Sequence, residues 1–415
     1  MPISISYSYK VDAKFVLGDK EEQILPEGIN TIITNYDYDN NNIPIIYLGV
    51  NLETSLYYRM VQNTEKGTIV LTVSKAKNGS NYSFFTDYIK GSFTYIMSTN
   101  PDYNTTLEQQ SGTKDQIGVN FRQGYLALIL NGITDNNRKN MNTIIKNSNM
   151  TSIINKFTSH MKMVMEPLHT DKLFKYLIIE PVESIPKLLE FLMKKSVFYR
   201  NGFRYFVDFN RTYLLSGQGN PVEAKDNTYS TVIINVIDPA DIEAHQTGVI
   251  TDHANKAYIL NINAHNTSTD VKKSDEKIFN TITGVDSYGN TKEVNLNIPK
   301  TQGSSTKARL ERVPSDNMEY IDYMQSQIED SVLLFSVTKT EIDTSLITPN
   351  KEYVVRNFPT YAQYNGNYVL SYKKDTFINQ NNQFISSILF GLRKVKSTTH
   401  TSTSGREHGG ASKSF

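Results

Sequence analysis

The sequence predicts an α+β, β-rich fold, with β-barrel regions at its two ends, an α/β middle and a polar insertion. Three observations carry this. Residues 3–15 alternate strictly, with Ile3, Ile5, Tyr7, Tyr9, Val11, Ala13 and Phe15 on one side and Ser4, Ser6, Ser8, Lys10, Asp12 and Lys14 on the other. That period of two marks a long half-buried strand. The stretch from Ser184 to Ser216 changes from helical spacing to aromatic strand runs. Across 415 residues there are 26 Tyr and 19 Phe but neither Trp nor Cys. Tyr, Phe, Ile and Thr favour strands, and the abundant Asn and Gly favour turns.

In chain order, Gly18-Asp19 ends the first strand, and Ile29, Ile32 and Ile33 lie in a second. Ile43 to Val50 forms another, with Pro44 at an edge or strand-start position. A short helix fits Glu53 to Asn63, with Thr54 or Ser55 as cap and Leu56, Tyr57, Met60 and Val61 as its apolar face; Gly67 stops it. Thr68 to Ser74, Tyr82 to Met97 and Ile117 to Leu130 complete a set that fits a barrel or tight sandwich.

Asn131-Gly132 and the Asp135-Asn136-Asn137 run mark a boundary. Met141 to Met161 carries Ile144, Ile145, Ile153, Ile154 and Phe157 at mixed spacing and is expected to form two short helices, followed by a strand within Lys162 to Leu168. The Ser184–Ser216 unit comes next. Ser184 is placed to cap a helix, Pro186 falls in its first turn, and Ile185, Leu188, Leu189 and Leu192 share a face. Lys194 and Lys195 suit the negative end. Val197 to Tyr199 and Phe203 to Val207 are expected to pair across Arg200-Asn201-Gly202, and Thr212 to Leu215 follows.

Thr228 to Ile237 and Ala257 to Asn263 are strands in an otherwise polar, turn-rich stretch up to about Lys307. A helix over 315–329 has Asp316 and Glu319 as a capping pair and Met318, Ile321, Met324 and Ile328 on one face. Strands at Val332 to Thr338, Glu352 to Arg356, Tyr368 to Tyr372 and Phe384 to Val395 again suit a barrel, and the polar tail after Val395 is expected to be disordered. The expected domains are residues 1–134, an N-terminal barrel; 135–220, an α/β domain; 221–310, strands plus the insertion; 311–395, a helix and C-terminal barrel; and 396–415, the tail.

The formal charge of +1 gives no global argument for a nucleic-acid partner. Without cysteine there is neither disulfide nor thiol chemistry. The first residues show no signal-peptide pattern, and no apolar run approaches the roughly 20 residues of a membrane span. No phosphate loop, nucleophile elbow or zinc-protease signature is present. His245, His253 and His265 match no metal spacing. Glu166, Glu180, Glu183 and Asp208 lie near aromatic stretches, where helix ends and strand corners explain them. The sequons at Asn78, Asn81 and Asn210 follow from composition. The basic residues between Arg138 and Lys162 form a solvated face. No catalytic, cofactor-binding or metal site is therefore expected. The residues singled out are a structural core signature: Phe198, Tyr199, Phe206, Asp208 and Tyr213.

With those residues in view, Ile185 to Ser216, containing VFYRNGFRYFVDFNRTYLLS, resembles the central unit of phage tail baseplate hub proteins of the late control protein D-like family of contractile tails. ITPNKEYVVRNFPTYAQYNGNYVLSYKKDTF, Ile347 to Phe377, is similar to that family's closing barrel strands, and IPIIYLGV followed by the helix from Glu53 fits its start. The resemblance implies two tube-type barrels in each subunit and a homotrimeric ring in the virion tail baseplate. It implies a tail tube protein at one end, a central spike protein at the other and baseplate wedge or adaptor proteins around the ring. Genome DNA would pass through the lumen during ejection without specific binding. The implied role is structural, with no enzyme activity, no cofactor and no membrane insertion, and with synthesis in the host cytoplasm. Another baseplate or tail adaptor protein, a receptor- or glycan-binding tail protein and, more distantly, a cell-wall hydrolase are the rival readings. Residues 241–310 match no named pattern.

Overall fold

The computed structural model describes residues 7–39, 43–77, 85–98, 121–133, 141–200, 202–208, 211–217, 231–237, 249–252, 257–263, 267–268, 281–285, 288–295, 308–312, 320–321, 332–338, 344–349, 351–358 and 362–395. Most of the expected 315–329 helix, including its capping pair, and all of the 396–415 tail lie outside these residues.

The N-terminal part contains β1 (Tyr7–Leu17), β2 (Lys20–Ile24), β3 (Ile29–Asp37), β4 (Ile45–Glu53), α1 (Thr54–Gln62), β5 (Thr68–Lys77), β6 (Thr86–Ser98) and β7 (Phe121–Leu130). The alternation in β1 is real: Tyr9, Val11, Ala13 and Phe15 are buried, whereas Lys10 and Asp12 are exposed. In α1, Leu56 and Met60 face the core, but Val61 is exposed. Glu53, rather than Thr54 or Ser55, holds the N-cap position, and it makes no side-chain capping bond. Gly67 passes so close to the Phe15 ring that any Cβ there would collide with it.

The middle contains β8 (Met141–Asn149), α2 (Met150–Thr158), β9 (Met163–Met165), β10 (Leu173–Val182), α3 (Ile185–Lys195), β11 (Phe203–Asp208) and β12 (Arg211–Ser216). The two short helices expected over 141–161 are one strand and one helix. The switch falls at Asn149, whose side chain accepts from the Ser152 amide at 3.0 Å and caps α2. Asp171 accepts from the Thr151 amide at 2.9 Å at the same end. The residues before Asn149 pair antiparallel with β10, a strand that sequence reading passed over. In α3, Ser184 accepts from the Lys187 amide, as its sequence predicts.

Val197 to Tyr199 is not a strand. The Phe198 carbonyl takes the amides of His169 and Thr170, at 2.9 and 3.3 Å, so it has no ladder partner. The chain turns at Gly202, with φ of 81°, and the hairpin forms one step later between β11 and β12, Phe206 opposite Tyr213.

The C-terminal part contains β13 (Thr231–Ile237), β14 (Val249–Asp252), β15 (Ala257–Asn263), β16 (Thr267–Ser268), β17 (Thr281–Val285), β18 (Thr291–Asn295), β19 (Ala308–Arg312), β20 (Val332–Thr338), β21 (Glu352–Arg356), β22 (Gly366–Gln380) and β23 (Gln383–Lys394). Strands β17, β18 and β19 form their own three-stranded sheet.

The strands close into an eight-stranded barrel in the order β22-β3-β4-β7-β6-β5-β1-β23. Closure rests on two contacts made by the C-terminal hairpin: β22 residues Tyr372 to Ile378 pair with β3, and Phe384 of β23 pairs with Tyr9 of β1. The ring therefore crosses the boundaries expected from the sequence, because its last two strands come from the far end of the chain. The other half of the same hairpin extends into a second set of strands. There β22 pairs with β21, which leads through β13 to β15 and β14, while β23 pairs with β20, which leads to β16. One continuous core fills the ring and reaches into this second set. A separate core lies among α2, α3, β8 and β10.

Candidate functional site

The three-stranded sheet β11-β12-β9 lies between the two cores, and both of its faces are buried. Phe206, Tyr213 and Leu215 belong to the ring-side core; Tyr205 and Leu214 belong to the helical one. Phe206 stacks on Tyr213 with centroids 5.0 Å apart and meets Tyr38 edge-on at 5.1 Å. Phe198 and Tyr199 are wholly buried in the helical core, where the Tyr199 hydroxyl donates to the Glu166 carbonyl. Burial, with the Glu166 charge adding to it, pushes the Tyr199 hydroxyl far above its ordinary pKa. Asp208 closes β11 opposite Arg211. Four of the five signature residues are thus packing groups on or beside one sheet.

Two of the carboxylates flagged from sequence, Glu166 and Glu183, have partners in the structure. Glu166 accepts from the Ser216 amide at 2.8 Å with one oxygen and from the Ser216 hydroxyl at 3.1 Å with the other. Glu183 is exposed and pairs with Lys187 one helical turn on, at 2.9 Å. His245, His253 and His265 lie outside the described residues, as do the three sequons. Among the described residues no group of three His, Asp or Glu side chains is placed to hold a metal.

The structure also gathers charges that local sequence reading missed. Just past β3, Asp39 is buried between two arginines. Its Oδ1 lies 3.4 Å from Arg204 Nε of β11, and its Oδ2 lies 3.3 Å from Arg393 Nε of β23. The Ser371 hydroxyl also donates to Asp39, Arg204 Nη2 donates to the Leu370 carbonyl, and Arg393 Nη2 donates to the Gly217 carbonyl at 2.9 Å. Ring, hairpin and middle sheet are tied at this one junction. Burial pushes the Arg204 guanidinium down to about 10; Asp39 opposes that shift and Arg393 adds to it.

A second polar cluster sits inside the ring. Lys373 Nζ lies 3.2 Å from Asp375 Oδ2 and donates to the Tyr88 hydroxyl at 2.8 Å and to the Thr344 carbonyl at 2.7 Å. Tyr88 in turn donates to Asp375. Burial holds the Asp375 carboxyl above its usual range, although Lys373 and the hydroxyl donors pull the other way. These charges were missed because Lys373-Lys374-Asp375 is a run of consecutive charged residues, which locally suits a solvated strand. Lys373 and Asp375 fall on the inward-facing positions of β22, and that phase was the one available signal.

The two-stranded β8–β10 sheet presents a different kind of surface. Ile145 and Leu177 point into the helical core, while their neighbours Ile144 and Ile178, directly opposite each other, are 59% and 64% exposed. Tyr176 is 62% exposed beside Lys146, whose ammonium lies 5.9 Å from the ring centroid. Elsewhere, exposed charges pair between elements, Lys14 of β1 with Glu21 of β2 at 3.2 Å and Arg59 of α1 with Glu22 of β2. Among the described residues no helix is long and apolar enough to cross a membrane.

With this geometry established, comparison with known proteins gives a consistent answer. No curated protein matches the sequence. The fold is similar to that of the tail protein from Neisseria meningitidis MC58, at 9% identity and a TM-score of 0.53, covering 94% of this chain and 97% of that one. The 43 kDa tail protein of prophage MuSo2 from Shewanella oneidensis aligns over 93% of this chain and 97% of its own, with 10% identity and a TM-score of 0.49. A PdpA–VgrG complex in its lidless form aligns with 94% of this chain at 11% identity and a TM-score of 0.50; the match spans 65% of that longer chain. The fold expected from the resemblance read at Ile185–Ser216 and Ile347–Phe377 is thus shared with the Neisseria tail protein. Over residues 3–395 the sequence matches the family described as Bacteriophage PBS1 gene 109 protein, and the chain belongs to that family.

Proposed function

We propose that this protein is the structural hub of a contractile phage tail baseplate, a virion component of which three copies form a ring joining the tail tube to the central spike. One observation carries the reading: a closed eight-stranded barrel whose final hairpin extends as a single piece into a second strand set. Two such strand sets per chain suit a ring that matches a six-fold tube with three subunits. The barrel itself is no channel. Tyr9, Phe15, Phe93 and Phe377 are all buried in its interior core. A path for the genome must then run between subunits. The exposed Ile144–Ile178 pair and Tyr176, on a sheet of only two strands, give an apolar face suited to cover by a neighbouring chain. A hub ring of this kind would bury on the order of 2,000 Å² or more between subunits. A structural role fits Glu166, the carboxylate beside the aromatic sheet, whose two oxygens are committed to the Ser216 amide and hydroxyl.

The test is the mass of the purified protein by light scattering, alone and with co-expressed tail tube and spike proteins. A trimer in either setting supports the hub. A monomer in every mixture overturns it in favour of an adaptor or glycan-binding tail protein.

A further inference from the structure

The β8–β10 sheet is unfinished on its outer side. Leu173, Tyr176 and Ile178 of β10 are 69%, 62% and 64% exposed, and Ile144 of β8 lies opposite Ile178. Among the described residues, β10 pairs with β8 on one edge and with no strand on the other. A strand edge left open beside apolar side chains is a template for another chain, and folded proteins blunt such edges with charge, proline or a kink. The edge of β8 is blunted, because Asn147 has φ of 46° and leaves the extended conformation. The edge of β10 runs from Leu173 to Glu180 before Pro181 interrupts it. Two cations border the apolar strip. Lys146 lies opposite Tyr176, and Lys175 precedes Tyr176 on β10; both are exposed, and among the described residues neither is paired with a carboxylate. Asp171, just before the strand, is spent on the Thr151 amide and the Asn149 side chain. The one carboxylate within Leu173–Glu180 is Glu180, at the far end.

We infer that the open edge of β10 takes up an extended, acidic and apolar segment of a different protein as a third strand. The backbone of that segment bonds the outward N–H and C=O groups between Leu173 and Glu180. Its side chains alternate, so that one set covers Ile144, Tyr176 and Ile178 while carboxylates lie beside Lys146 and Lys175. Backbone pairing supplies affinity in such an addition, and the alternate side chains supply selectivity. A second copy of this chain offers β2 as an acidic edge strand, but Glu21 and Glu22 there are already engaged by Lys14 and Arg59. In the hub reading, on which this occupant rests, the neighbouring chain that covers the face is then another tail protein.

The test uses the full chain and, as probe, a short fluorescein-labelled peptide of alternating valine and glutamate, with a valine–lysine peptide as control. Fluorescence anisotropy at low salt is expected to show the glutamate peptide binding about tenfold more tightly than the lysine peptide. Lys146→Glu combined with Lys175→Glu should reverse that preference, and Ile178→Asp should weaken both peptides about tenfold. All three positions are exposed, so the fold is retained. Hydrogen exchange adds a readout that loose electrostatic contact does not move: bound peptide should slow the β10 amides that point away from β8. Absence of binding, equal binding of the two peptides, or binding without new protection along β10 would each overturn the proposal. Light scattering separates it from the ring. If Ile178→Asp splits an oligomer of the chain, the face belongs to a second copy and the added strand is refuted. A chain that stays monomeric in every mixture, yet binds the glutamate peptide along β10, refutes the ring and supports the added strand.

Discussion

At the residue scale, this molecule uses side chains to join parts that are remote in sequence. Phe206 touches Tyr38 from the start of the chain and Tyr213 from its own hairpin. Phe206→Ala is expected to cost about 3–5 kcal/mol, read as a lowered denaturation midpoint, because a buried aromatic leaves both a cavity and lost contacts. An unchanged midpoint would refute the sheet's role as the shared wall of two cores. Asp375 makes a second prediction, of opposite character. Its carboxyl is wholly buried and held above the ordinary value, first by desolvation. The folded chain thus keeps this proton to higher pH than the unfolded chain, whose value is near about 3.9. Between those two values the folded state binds more protons, so this group's contribution to stability falls as pH rises. Asp375→Asn removes the titration. The stability of the unsubstituted protein relative to Asp375→Asn, from denaturant titrations, should therefore decline with increasing pH across that window. A rise would mean that Lys373 and Tyr88 outweigh burial.

At the element scale, the information lay where a local rule was sufficient. The Ser184 cap, Pro186 in the first turn and the spacing of Ile185, Leu188 and Leu192 specify α3, and the structure agrees. The same rules failed at 141–149, where Ile144 and Ile145 suit either period and only the pairing with β10 decides for a strand. They failed again at Val197–Tyr199, where three consecutive apolar residues are buried in a corner rather than in a ladder. The β22–β23 hairpin shows a local rule with a measurable consequence. Its two-residue turn is Asn381-Asn382, with φ of 52° and 64°. Asn tolerates the left-handed region that such turns require, whereas a β-branched residue does not. The Asn382 amide also bonds Asn379 Oδ1 at 2.9 Å, and Asn379 Nδ2 reaches the Ile29 carbonyl at 2.9 Å. The turn is exposed, so substitution there tests backbone conformation with little packing change. Asn382→Val is expected to lower stability by about 1–2 kcal/mol, while Asn382→Gly should stay within about 0.5 kcal/mol. Denaturant midpoints check both, and equal effects would show that conformation is not what Asn382 supplies.

At the scale of the whole molecule, the sequence indicated barrels at both ends, but not that the two ends share a hairpin. Closure of the ring depends on pairs such as Phe377 with Ile32 and Tyr9 with Phe384, far apart along the chain. No local periodicity encodes such pairs. The arrangement has a mechanical consequence. Residues Tyr372 to Ile378 of β22 pair with the ring strand β3, while Gly366 to Tyr368 of the same strand pair with β21 of the second set. The junction of Asp39 with Arg204 and Arg393 ties the middle sheet to the same hairpin. Neither strand set can lose the hairpin without exposing the core that it shares with the other. The ring and the second set should therefore open as one unit, not as two domains in series. Phe377→Ala, made inside the ring, tests this through native-state hydrogen exchange. It is expected to lower the protection of β21 and β13 amides along with those of β3 and β4. Loss confined to β3 and β4 would show that the two halves of the hairpin belong to independent units.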